Sequence, residues 1–97
     1  MATNLVEPHI IVERDLVGDY VFEFKEQVLS ALETGGLELI IDMSNVRLMG
    51  SSAIGVLGSA VNTMKLSNGT VGLKGLNPDI LRVLKLMGMT KTFKIYE

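Results

Sequence analysis

The stretch Gly50-Ser-Ser-Ala-Ile-Gly55 places two hydroxyls between two glycines, after an apolar run and before a helical pattern. Its G-x-x-x-x-G spacing is that of a phosphate-cradling loop. Such a loop needs Lys next, to neutralise the terminal phosphates, and then Ser or Thr to hold magnesium. Val56 and Leu57 stand there instead, so nucleotide chemistry is excluded on its central residue. A serine nucleophile on a G-x-S-x-G elbow would be Ser52, but position 54 is Ile rather than Gly. The one histidine, His9, opens a strand pattern far away in the chain, where no base for Ser52 is expected. With no cysteine, one histidine and carboxylates spread singly, no metal-ligand spacing exists. The expectation is a protein without catalytic residues, cofactor or metal: not an enzyme.

Two uses remain for Ser51 and Ser52. A serine at a helix start accepts hydrogen bonds from unpaired backbone N–H groups and contributes about 1 kcal/mol over alanine. Alternatively, the pair is a phosphate acceptor, exposed beside the small residues Gly50 and Ala53. A phosphate there would meet free N–H groups and the positive end of the helix dipole. It would also present about two negative charges to anything docking on that surface. Gly55 and Gly58 each weaken a helix interior by roughly 1 kcal/mol relative to alanine, which implies close packing by the domain's own sheet or by a partner. Ile54, Leu57, Val61 and Met64 follow helical spacing and are assigned to the core, with Ile54 reaching the helix end. Met49 suits either the core or, through its pliable thioether, a partner surface.

The elements that hold this stretch alternate in type. His9–Leu16 is rich in β-branched residues and reads as a strand, and Gly18-Asp19 marks a turn. From Val21 the period becomes helical, with Phe22, Val28, Leu29 and Leu32 as the apolar stripe and Gly35-Gly36 as the stop. Leu37–Asp42 is a short, nearly continuous apolar run, expected to be a strand buried on both faces. A second helix runs from Ser51 to about Ser67 and is closed by Asn68-Gly69. Thr70–Leu76 reads as a strand. Asn77-Pro78-Asp79, with Gly88 at the far end, punctuates a third helix. Phe93–Glu97 is a last strand. The order β-α-β-α-β-α-β predicts one α/β domain over 1–97: a mainly parallel sheet of four or five strands with helices packed against it. Sites in such sheets gather where strands end and helices begin.

Composition narrows the functions further. Of 97 residues, 47% are hydrophobic and 21% charged, as in compact soluble domains. The start, MATNLVEPH, lacks a charged-then-apolar leader, and no apolar run reaches the roughly 18 residues of a membrane span. A cytoplasmic protein without membrane insertion is expected. Residues 1–42 hold nine acids against two bases, and 43–97 hold seven bases against two acids. Those bases are scattered and the aromatics are five, which excludes a nucleic-acid face with its basic stripe and stacking rings.

Leu39–Val61, LIIDMSNVRLMGSSAIGVLGSAV, resembles the central motif of STAS domains, the fold of bacterial anti-sigma factor antagonists. That motif is an apolar strand ending in Asp-hydrophobic-Ser, then a hydrophobic-Asp-Ser-Ser/Thr-Gly helix start. Ile80–Glu97 is similar to the family's closing helix and strand. The resemblance implies that the serine after the motif's Asp, here Ser51 (with Ser52 as the alternative), is phosphorylated by a partner that is both anti-sigma factor and GHKL-type serine kinase. The unmodified domain would bind that partner and free the sigma factor for transcription under stress. Phosphorylated, the domain would let go, and a PP2C-type phosphatase would return it to the unmodified form. The implied partner surface comprises Asp19, Met49, Gly50, Ser52, Ala53 and Ile54. Gly50 replaces the family's Asp, and Ala53 its Gly. The family's opening hairpin is expected to be reduced here to about one strand, and no helix is expected after the last strand. The family also includes non-switching modules of signalling assemblies and lipid transport systems. The oligomeric state, a homodimer included, stays open.

Overall fold

Each strand pairs with the next one in the chain. The computed structural model describes residues 9–34 and 36–96. Its elements are β1 (His9–Ile11), α1 (Tyr20–Glu33), β2 (Glu38–Asp42), α2 (Ser51–Lys65), β3 (Thr70–Lys74), α3 (Pro78–Leu86) and β4 (Lys94–Tyr96). The four strands form one sheet in the order β1-β2-β3-β4, every pair parallel, with Ile41 opposite Ile10 and Leu73. The expected alternation and parallel sheet are both present.

Sequential order has a consequence for the layers. Right-handed crossovers between neighbouring parallel strands put every helix on the same face. Burial follows that rule. Ile10, Leu39, Ile41, Val71 and Leu73 point to the helices and are buried, whereas Ile11 and Ile40 on the other face are not fully covered. β2 was expected to be buried on both faces and is buried on one. On the open face Tyr96 lies across Gly72 and donates its hydroxyl to the Glu38 carboxylate, 2.7 and 2.8 Å from its two oxygens.

The helices bury Tyr20, Val21, Phe24 and Val28 of α1, Ala53, Leu57, Ala60, Val61 and Met64 of α2, and Ile80 and Leu84 of α3. This corrects the expected stripe of α1: Val28 is buried, but Phe22 is 70% and Leu29 46% exposed. Tyr20 and Phe24 take the inward positions instead. α1 ends at Glu33, where both the N–H and the hydroxyl of Thr34 reach the Ala31 carbonyl. Gly35, expected to supply the stop, and residues 1–8 and 97 lie outside the described residues. α2 stops two residues earlier than expected. Asn68 then adopts a left-handed φ of 59° and the Gly69 N–H closes on the Met64 carbonyl at 2.7 Å. The first strand is shorter too. It ends at Ile11, and only Leu16 returns to pair, in a single parallel bridge with Met49. Among the described residues no helix is long and apolar enough to cross a membrane.

Candidate functional site

At the carboxyl end of β2 the chain must turn from the sheet into α2, and three loops cooperate in that turn. Asp42 takes the first step. Its carboxylate accepts from the backbone N–H of Ser44 at 2.9 Å and from the Ser44 hydroxyl. These bonds hold the Asp42 carboxyl below its ordinary value of 3.8. Ser44 in turn packs on Gly75 after β3. Gly75 has a φ of +70°, and a side chain there would come within 2.9 Å of the Ser44 Cβ, so only glycine fits this crossing.

Asp15 takes the second step, from a loop more than thirty residues away. Its carboxylate accepts from the backbone N–H groups of Arg47 (2.7 Å) and Leu48 (3.1 Å). Those two bonds lower its pKa, helped by the nearby Arg47 charge. The backbone continues the clamp: the Leu16 N–H donates to the Leu48 carbonyl at 3.0 Å, and the Gly50 N–H to the Leu16 carbonyl at 2.9 Å. The loop is closed behind by Tyr20, whose hydroxyl accepts from the Glu13 N–H at 3.0 Å while the Arg14 guanidinium sits 4.6 Å from its ring. Asp15 and Tyr20 therefore position the start of α2. No local pattern marks them for that role.

What they position is a helix start without a side-chain cap. Gly50 is the N-cap, extended at φ −82° and ψ 169°, and no side chain bonds the first turn. Ser51 and Ser52 are the first two helical residues, both exposed, and neither hydroxyl has a hydrogen-bond partner among the described residues. Of the two uses weighed for them, capping is the one the geometry does not support. The Ala53 and Ile54 N–H groups both donate to the Gly50 carbonyl, at 3.1 and 3.2 Å, so the N–H groups of Ser51 and Ser52 are the ones that stay available. The first turn also lacks an acidic residue, so the positive end of the helix dipole is unopposed there.

The other residues of the expected surface divide. Asp19, exposed and at the N-cap of α1, also makes no side-chain cap bond. It lies three residues beyond Leu16, whose backbone is tied to Leu48 and Gly50, so the two helix starts share one edge. Met49 and Gly50 are half-buried, with Met49 packed against the core, and Ile54 is half-buried. Ala53 is a correction: it is fully buried, so its methyl group faces the core and presents nothing to a partner. At Gly55 and Gly58 a Cβ would meet nothing within 4 Å, which removes the first of the two packings expected there. The domain's own sheet does not demand them. Leu48, 61% exposed, and Val83 of α3 flank a hollow of about 170 Å³ beside Met49. Among the described residues no group of three or more His, Cys, Asp or Glu could hold a metal ion.

Comparison with known proteins gives this geometry a family. The model of the STAS domain matches residues 13–97. A candidate anti-sigma factor antagonist of Thermotoga maritima shares 25% identity, over 97% of this chain and 83% of that one, with a TM-score of 0.82. The unphosphorylated anti-sigma factor antagonist SpoIIAA aligns at a TM-score of 0.73 and 13% identity, covering 98% of this chain and 84% of that one. The STAS domain of a SulP transporter from Vibrio cholerae aligns at 0.71 and 18% identity, over 98% and 77% of the two chains. The last two likenesses speak for the fold alone. With the clamped, uncapped α2 start on this four-stranded frame and the family model spanning all but the first residues, the chain belongs to the STAS domain family.

Proposed function

We propose that this STAS domain is a cytoplasmic anti-sigma factor antagonist that works by partner switching. Unmodified, it binds an anti-sigma factor that is also a GHKL-type serine kinase and so releases the sigma factor. Phosphorylation of Ser51 dissociates the pair, and a PP2C-type phosphatase resets it. The observation that carries this reading is the state of Ser51: exposed, first in its helix, uninvolved in capping, and next to the available N–H groups of Ser51 and Ser52. A phosphate at that position is tolerated by the helix, whose dipole favours it. It is not tolerated by a dry interface, because a charge near −2 must be desolvated there. Asp19, Met49, Gly50, Ser52 and Ile54 surround the acceptor as the contact surface.

Titration calorimetry with a candidate GHKL-type kinase of the same organism tests the reading. The wild type and Ser51→Ala should bind alike, and Ser51→Asp at least about tenfold more weakly, a difference of about 1.4 kcal/mol. Equal affinity of all three would refute it. A second reading, a non-switching STAS module in a signalling assembly or lipid transport system, is favoured by Gly50, which removes the family's carboxylate beside the acceptor. The likeness to a transporter's STAS domain supports it too. A gene beside a serine kinase and a sigma factor supports the switch; transporter genes support the module.

A further inference from the structure

The exposed apolar side chains of α1 are not scattered. Phe22 and Leu29, one heptad apart, stand along one side of a groove of about 460 Å³ between α1 and α2. Ser52, Gly55 and Ser59, with Val56 and Thr63 between and beyond them, form the facing wall. Large apolar groups thus face a wall of mostly small residues, and the Gly55 position is open space that the fold leaves unfilled. From Phe22 to Leu32 the groove runs about 15 Å, close to three helical turns.

Charge says what fits there. α2 carries no charged residue from Ser51 to Met64, so that wall is neutral. On α1, Asp19, Glu26 and Glu33 recur every seven residues along the crest, on the side of Phe22 and Leu29 turned away from α2. The one charge among the residues lining the groove is Lys25, on its α1 side. Glu26 lines the hollow on the other side of α1, so an occupant's cations reach the crest by passing over Phe22 and Leu29 and beyond Lys25. We propose that the groove seats a helix of a partner protein, apolar along one face, with Lys or Arg along the edge that overlies α1 and neutral residues along the edge that overlies α2. Such helices dock through anchors at i, i+3, i+4 and i+7, and the one-sided acidic crest fixes which way the helix lies. Because the groove begins at Ser52, beside Ser51, its occupant is the switching partner. That identity rests on the proposed function, whereas the occupant's chemistry rests on the groove alone.

The probe is a synthetic helix-forming peptide of about 18 residues, leucines on one face and lysines along one edge, followed by amide NMR on the labelled full chain. Shifts should centre on Phe22, Leu29, Gly55 and Ser59. Glu26→Lys with Glu33→Lys should weaken binding about tenfold or more, and so should Gly55→Leu, with the thermal midpoint confirming that each variant folds. Shifts centred elsewhere, or equal binding of a peptide whose lysines are replaced by glutamates, would overturn the proposal. So would concentration-dependent shifts at the same residues without peptide, which would mean a second copy of this chain. Shifts from laurate but not from peptide would mean an acyl chain, with the same consequence. With the partner kinase as ligand, Ser51→Asp and Gly55→Leu separate the two readings. Loss only on Ser51→Asp keeps the switch and removes the groove; loss only on Gly55→Leu does the reverse.

Discussion

Helices α2 and α3 begin at the same edge of the sheet and are built in opposite ways. α3 opens on Asn77, whose side chain accepts from the Asp79 N–H at 2.8 Å, with Pro78 in the first helical position and Asp79 in the first turn. Asp79 is also within 3.6 Å of the Arg82 guanidinium one turn on. α2 opens on Gly50 with none of these devices. Its start is held from outside, by Asp15 and the backbone of Leu16. Local stability and an available helix start thus compete for the same N–H groups. A carboxamide that caps a helix occupies the groups that a phosphate would use. α2 keeps them free by moving the work of positioning to another loop.

The largest effect that would break this comparison is on binding. If α2 is the regulated start, a charge at Ser51 weakens the partner complex about tenfold or more, whereas Asp79→Asn in α3 leaves that affinity unchanged in the same titration. Next comes stability. Asn77→Ala should cost about 1 kcal/mol in denaturant unfolding, the usual value of a side-chain cap. Ser51→Ala should stay within about 0.5 kcal/mol, as for a surface change that removes no bond. Equal losses would show that Ser51 caps after all. Gly58→Ala sharpens the point from the other direction. Its Cβ has open space, so the free domain should gain roughly 0.5–1 kcal/mol; a loss would mean that the helix is already closely packed there.

These predictions separate what the residues disclosed from what they did not. The start of α3 was legible because its cap, proline and acid are neighbours in the chain. The start of α2 at Ser51 was legible as a position, since the apolar period begins there, but not as an uncapped one. Asp15 was invisible, because its partners lie more than thirty residues away and an isolated Asp in a loop carries no local sign of them. Phe22 and Leu29 went to the core because α1 has two apolar stripes side by side, and periodicity does not say which one meets the sheet. β2 looked buried on both faces because the run Leu39–Ile41 is apolar throughout. The strand order, which leaves one face without helices, is a property of the whole chain.

The smaller effects concern the clamp. Gly50→Asp restores a carboxylate at the N-cap and should add only a few tenths of a kcal/mol. Its larger consequence would be faster phosphorylation of Ser51 by the partner kinase. Asp15 and Asp42 both have folded-state pKa values below 3.8. The stability they contribute is therefore present above the unfolded value and is lost as pH falls through the folded one. Unfolding free energy should be level above about pH 5, decline below it, and decline less in Asp15→Ala. An identical acid profile for that variant would remove Asp15 from the clamp.

The central claim is that Ser51 is kept free for a charge and not used as a cap. Peptide mass spectrometry of the protein isolated from its own cells, with and without phosphatase treatment, tests it most directly. The account predicts a phosphatase-sensitive phosphate on Ser51 in part of the population, changing with growth and stress. A protein without phosphate under every condition would contradict it.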